Sequence, residues 1–170
     1  MSFRIAIICL AAAAVMGLPL PAAAAEDYEV GVRAYSEGDF GKAIEAFSPL
    51  LERGHAGAET MIGVMYLNGQ GYPQNYGLAA VWLYKAARKG EAGAQLVLGS
   101  QHLFGWGVER DLVRAYVWLK LAARGGLPDV SEQAMSYRQQ AALAMTPREI
   151  ERAERLAARW SPVTDRFTTE

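Results

Sequence analysis

The side chains able to do chemistry are few in this sequence, and their spacing limits what they could do. Only two imidazoles occur, His55 and His102, and neither has a second metal ligand one helical turn away. No Gly-x-Ser-x-Gly elbow is present to seat a nucleophilic serine. Cys9 is the one thiol, which excludes an intramolecular disulfide framework and any multi-cysteine metal site. The carboxylate pairs Glu26–Asp27 and Glu151–Glu154 stand on charged ends or faces, where solvation is the simpler reading. No catalytic constellation, cofactor site or metal site is expected. Lys plus Arg is 17 against Asp plus Glu 18, a formal charge of −1, so no basic surplus exists for binding nucleic acid. A chain of 170 residues with 52% hydrophobic and 21% charged residues has the composition of a globular domain.

Cys9 belongs to a segment unlike the rest. Arg4 is the only charge among residues 1–25, residues 5–20 are nearly continuously apolar, and Pro19 and Pro21 precede the alanine run 22–25. A positive start, an apolar stretch and small residues at the end make a secretory signal peptide, with cleavage expected between Ala25 and Glu26. An uncleaved anchor is the alternative, because the stretch could nearly span a bilayer. With the leader removed, the product is expected to be periplasmic or secreted, free of cysteine and not inserted in a membrane.

The elements that must position everything else come from an internal repeat. Residues 58–93 and 94–129 align without a gap at 13 identities in 36 positions, among them Gly63/Gly99, Ala79/Ala115, Trp82/Trp118 and Gly90/Gly126. Asp39, Asn75 and Asp111 keep the same period, as do Ala43, Ala79 and Ala115, which makes residues 26–57 a degenerate first unit. The three Asp or Asn side chains stand where helices should begin and can accept orphan backbone N–H groups. Ala79, Trp82, Leu83 and Ala86 share one helical face, and Ala115, Trp118, Leu119 and Ala122 repeat it. Gly90 and Gly125 suit left-handed helix ends, and Gly69-x-Gly71 and Gly105-x-Gly107 suit turns. Ala58, Gly63, Ala94 and Gly99 are small enough to bring the two helices of a unit together. No strand precedes the Gly-x-Gly pairs, so they are not phosphate loops.

The series Ala58, Ile62, Gly63, Tyr66, Gly69 and Gly71, followed by Asn75, Ala79, Trp82, Lys85, Ala86, Ala87 and Gly90, resembles the Sel-one-like repeat. That family is a branch of the tetratricopeptide superfamily. The second unit departs from it with His102 at a tyrosine position and Leu121 at a lysine position, while Tyr35, Gly38, Asp39, Phe40 and Ala43 look closer to a tetratricopeptide turn. The resemblance implies an all-α, short right-handed solenoid over about residues 27–129. Hydrolase activity has been proposed for cysteine-rich members, but their cysteine pattern is missing from this chain.

Beyond Pro128, residues 131–145 read as a helix capped by Asp129 or Ser131. Thr146, Pro147 and Glu149 then form a capping box opening a helix over 147–160, with Ile150, Ala153, Ala157 and Trp160 as its core stripe. Residues 130–160 are expected to cap the solenoid as a helical hairpin, and 161–170 to form a flexible tail. The other helices are expected at 27–36, 40–53, 57–68, 75–89, 93–104 and 111–124. Pro49 predicts a kink or an early end in the second of them.

The function these readings favour is a non-catalytic periplasmic adaptor that binds an envelope protein or peptide. The alternatives are an enzyme acting on cell-wall components or β-lactams, and a regulator of a membrane sensor kinase. The expected binding stripe runs along the first helix of each unit, through Met61, Met65 and Asn68 and then Val97, Gln101 and Phe104. Trp106, between Gly105 and Gly107, is expected either as an exposed anchor for a partner or packed against the neighbouring unit. Adaptable methionines in such a groove suit a peptide or an amphipathic helix. In the competing arrangement the C-terminal hairpin folds over the stripe.

Overall fold

Side-chain oxygens set where the helices begin. Asp39, Asn75 and Asp111 accept the backbone N–H groups of Lys42, Leu78 and Arg114 at 3.0, 2.9 and 2.9 Å. Thr146 and Glu149 close the expected capping box. The computed structural model describes residues 22–125 and 127–162, which form α1 (Ala22–Ser36), α2 (Phe40–Glu52), α3 (Ala56–Asn68), α4 (Tyr76–Arg88), α5 (Ala92–Phe104), α6 (Leu112–Ala122), α7 (Pro128–Leu143) and α8 (Pro147–Arg159). The chain is an all-α solenoid of helix pairs, α1 with α2, α3 with α4 and α5 with α6. Residues 1–21 and 163–170, which hold most of the expected leader and tail, lie outside the described residues. No helix among the described residues is long and apolar enough to cross a membrane.

Close approach within a pair depends on a missing side chain. A Cβ on Gly63 would sit 2.7 Å from Leu83 Cγ, and one on Gly99 would sit 2.7 Å from Leu119 Cγ. The two full repeats therefore use one internal joint. Gly69, Gly71, Gly105 and Gly107 all have positive φ, which permits the tight turns after α3 and α5. The apolar interior divides into two clusters. The first joins α1, α2 and α3 around Phe47, Leu50, Ile62 and Met65; the second runs from Leu67 at the end of α3 to α8 around Leu83, Leu98, Trp118 and Leu119.

Four local expectations need correction. α2 does not end early but continues through the exposed Pro49 to Glu52, because Phe47 and Leu50 on either side are fully buried and their packing outweighs the lost backbone donor. α1 starts at Ala22, earlier than expected, since alanine is the strongest helix former. α7 starts at Pro128 with no side-chain cap, so proline at the first helical position replaces the role given to Asp129 or Ser131. Gly125 has no positive φ; α6 ends at Ala122, and a Cβ on Gly125 would collide with that of Ala92. At the C-terminal end, α7 and α8 pack chiefly on α6 rather than on each other.

Candidate functional site

The stripe expected to bind a partner is mostly interior. Met61 and Met65 are buried in the first cluster, and Met65 Cε, Phe40 Cβ and Ile44 Cδ1 all stand close to where a Cβ on Gly71 would be. Val97 is buried in the second cluster. Gln101 is fully buried, and its amide nitrogen donates to the carbonyls of Tyr76 at 3.1 Å and Trp106 at 3.0 Å, while Oε1 has no partner. It pins the loop after α5 to the start of α4. Asn68 is exposed and donates to Gln70 Oε1 at 3.2 Å, an oxygen that also accepts from the Tyr35 hydroxyl at 2.7 Å. Phe104 is exposed on one side, stacks on Trp106 at 4.7 Å and meets the edge of Tyr137 at 5.7 Å. Trp106 is thus half-buried rather than a free anchor. These positions do not make one open groove. The physical reason is that α3 and α5 lie between neighbouring helices and bury nearly their whole circumference.

The histidines are structural in part. His55 Nδ1 accepts the Ala58 N–H at 3.1 Å and caps α3, with the Tyr28 ring 4.8 Å away. Burial pushes its pKa below the usual imidazole value, with nearby Lys89 adding to that and Glu59 opposing it. His102 Nδ1 lies 3.3 Å from the Glu109 carbonyl. A carbonyl only accepts, so that nitrogen carries the proton, and burial pushes this pKa down as well. A neutral His102 then keeps an acceptor at Nε2.

An open cleft does exist, one layer away from the expected stripe. It has a volume of about 380 Å³. α4 supplies Gly77, Ala80, Val81 and Tyr84 to one wall; Leu98 and His102 of α5 form the floor. Arg114 and Trp118 of α6 form the second wall, and Gly107 and Val108 close one end. Val81 is 52% exposed at the rim. The Tyr84 ring meets Trp118 edge-on at 6.2 Å, and the Arg88 guanidinium lies 5.8 Å from the Tyr84 ring. Arg114 pairs with Asp111 at 3.4 Å on the surface. Val81, Leu98, Val108 and the Tyr84 and Trp118 rings give the space a mainly apolar lining, with His102 and Arg114 as its polar groups.

The repeat explains why the cleft is open. Stepping back by one repeat replaces Ala80 by Ile44, His102 by Tyr66 and Val108 by Tyr72. There the Tyr66 and Tyr72 rings stack at 4.4 Å, and Ile44, Tyr66, Tyr72 and Trp82 pack against the first cluster. Stepping forward replaces Ala80 by Tyr116, Tyr84 by Lys120, Trp118 by Glu154 and His102 by Arg138. Tyr116 donates to Glu154 at 2.7 Å, Lys120 pairs with Glu154, and Arg138 lies 5.7 Å from the Tyr116 ring. Aromatic side chains fill one joint and a polar network fills another. Between them, Ala80, His102 and Val108 are smaller than Ile44, Tyr66 and Tyr72 and leave space. Comparing His102 and Val108 with Tyr66 and Tyr72 in the sequence was the signal that could have found it.

The chain matches the Sel1 repeat at residues 56–91 and again at 92–127. Residues 56–127 are thus two consecutive Sel1 repeats. A protective antigen present in uropathogenic Escherichia coli strains, displaying an SLR fold, is similar at 28% identity with a TM-score of 0.73, over 81% of this chain and 29% of that one. This chain thus spans less than a third of the antigen. A Sel1 repeat protein from Oxalobacter formigenes is similar at 29% identity with a TM-score of 0.57, over 66% of this chain and 88% of that one. No curated protein matches the chain. Sel1 repeats generally mediate protein–protein interaction, and proteins built from them are typically non-catalytic scaffolds.

Proposed function

We propose that this chain is a non-catalytic adaptor of the periplasm, holding an envelope protein or peptide in the cleft between α4 and α6. The observation that carries the reading is the cleft itself, an apolar concavity of about 380 Å³ with Val81 open at its rim. Scattered exposed apolar side chains are ordinary, but a contiguous concave set marks a place for a ligand or partner. The leader-like composition of residues 1–25 supports export.

Two measurements test the two halves of this reading. Fractionation of cells making the full chain should recover a product beginning at Glu26 in the periplasmic fraction; retention in the cytoplasm or membrane overturns the location. A photo-crosslinking residue at position 81 should trap an envelope protein that Val81→Asp chains no longer retain in affinity capture. Capture unchanged by that substitution overturns the cleft as the binding surface.

A further inference from the structure

We propose that residues 163–170 of this chain occupy the cleft between α4 and α6, with Phe167 seated in it, so that a partner enters by displacing them. This rests on the cleft being the binding surface proposed above.

The described chain ends beside the cleft. Pro162 Cγ lies 3.5 Å from where a Cβ on Gly90 would stand, just past the end of α4. The preceding Trp160 ring meets the Trp118 ring edge-on at 6.3 Å, and Trp118 lines the cleft. Residues 163–170 are therefore delivered at the Arg88 end. From Arg88 back to Gly77, α4 is about 16 Å long at the usual helical rise. The five residues from Val163 to Phe167 span up to roughly 17 Å when extended, so Phe167 reaches any point along that wall.

Composition agrees with reach. Residues 163–170 read Val-Thr-Asp-Arg-Phe-Thr-Thr-Glu, with one aromatic ring and an acid on either side of it. The joint they would enter is the one that lacks the stacked rings of Tyr66 and Tyr72, having His102 and Val108 in their place. A Phe167 ring between Val81, Tyr84 and Trp118 restores the missing aromatic volume and covers the exposed face of Val81. Cations stand at both ends, Arg88 beyond Tyr84 and Arg114 near Val108. They complement Asp165 and Glu170. Asp111 also faces Arg114, but an exposed pair of that kind contributes little and leaves room for a second carboxylate.

The test uses the full chain with Cys9→Ser, so that introduced cysteines are the only thiols. Val81→Cys combined with Phe167→Cys should form an intramolecular disulfide in dilute oxidised protein at least tenfold faster than Val30→Cys combined with Phe167→Cys. Val30 is exposed on α1, in the first core cluster's region, and serves as the remote control. Equal rates overturn the proposal. As a second measure, a chain ending at Pro162 should bind the apolar dye anilinonaphthalene sulfonate several-fold more than the full chain, with Val81→Asp removing the gain; no gain on truncation overturns the proposal. The proposed function fails separately. If the disulfide forms while partner capture ignores Val81→Asp, the adaptor surface is lost and the intramolecular contact stands. If Val81→Asp abolishes capture while the disulfide fails, the adaptor surface stands and the intramolecular contact is lost.

Discussion

Helix α6 faces two neighbours across two joints that the repeat makes equivalent. Toward α8, Val117 is completely buried and Tyr116, Lys120 and Glu154 are joined by hydrogen bonds. On α4, the matching Val81 is 52% exposed and the matching space is an open cleft. Identical residues at positions 81 and 117 thus have opposite surroundings. α8 comes close because Ala153 and Ala157 are small and fully packed, whereas α6 turns the bulk of Trp118 and Arg114 toward α4. The lesson is that a repeat specifies its internal joint, while the side chains between units decide whether a surface closes.

The most severe way to break the comparison is to place a charge at both valines. Val117→Asp should cost about 4 kcal/mol or more, since it buries an unpaired carboxylate, whereas Val81→Asp should stay within about 0.5 kcal/mol. Urea unfolding of the two variants decides it, and similar losses would mean that the cleft closes in solution. Next in size, Gly63→Ala and Gly99→Ala should each cost about 1–3 kcal/mol by forcing Leu83 or Leu119 aside. Their losses should match closely, because the joint inside each repeat is the same. Unequal losses would locate the asymmetry inside the units.

A smaller effect is expected at the closed joint. Glu154→Gln should destabilise by about 1 kcal/mol through the weakened bonds to Lys120 and Tyr116, and raise hydrogen exchange in α8. The hydrogen bonds from Lys120 and then Tyr116 hold the Glu154 carboxyl below the ordinary carboxylate value. A lowered folded-state value means that its contribution is full above the ordinary carboxylate range and is lost as the pH falls through the folded value. His55 and His102 act with the same sign at a higher window, because burial lowers both. Their contribution is complete above about pH 6.5 and declines below it, so stability measured by thermal unfolding should fall between neutral and mildly acidic pH. Rising stability over that interval contradicts the assignment of neutral imidazoles. The subtlest change sharpens the comparison from the other side. His102→Tyr supplies the ring present at Tyr66, and should reduce dye binding by the chain ending at Pro162 while changing stability by about 1 kcal/mol at most.

Much of the architecture was legible because it rests on local rules. Asp39, Asn75, Asp111 and Thr146 cap where their side-chain chemistry says they should, and Gly63 and Gly99 sit at the contacts inside the pairs. The binding stripe was not legible by the same means. Met61, Met65 and Val97 share a face by spacing, but α3 and α5 carry apolar residues on every face, so periodicity cannot say which one is open. Helical spacing puts Gln101 on the same stripe. Its amide instead satisfies two carbonyls at a loop, a long-range role that helical spacing does not encode. The cleft depends on side-chain volume at Ala80, His102 and Val108, which appears only when units are compared position by position.

The division of the apolar interior also has a bearing on how the molecule opens. The two clusters both lean on the ring of Tyr66, and α3 contributes to each of them. A solenoid with such a seam is a short chain of nearest-neighbour couplings, and its two parts can exchange with solvent at different free energies. Every residue lining the cleft belongs to α4, α5, α6 or the loop after α5, on the C-terminal side of the seam. Occupying the cleft would therefore slow amide exchange in α4 to α6 first and reach α1 and α2 only through α3. The N-terminal part of the molecule is left free to fray or rearrange while a bound segment holds the other part shut.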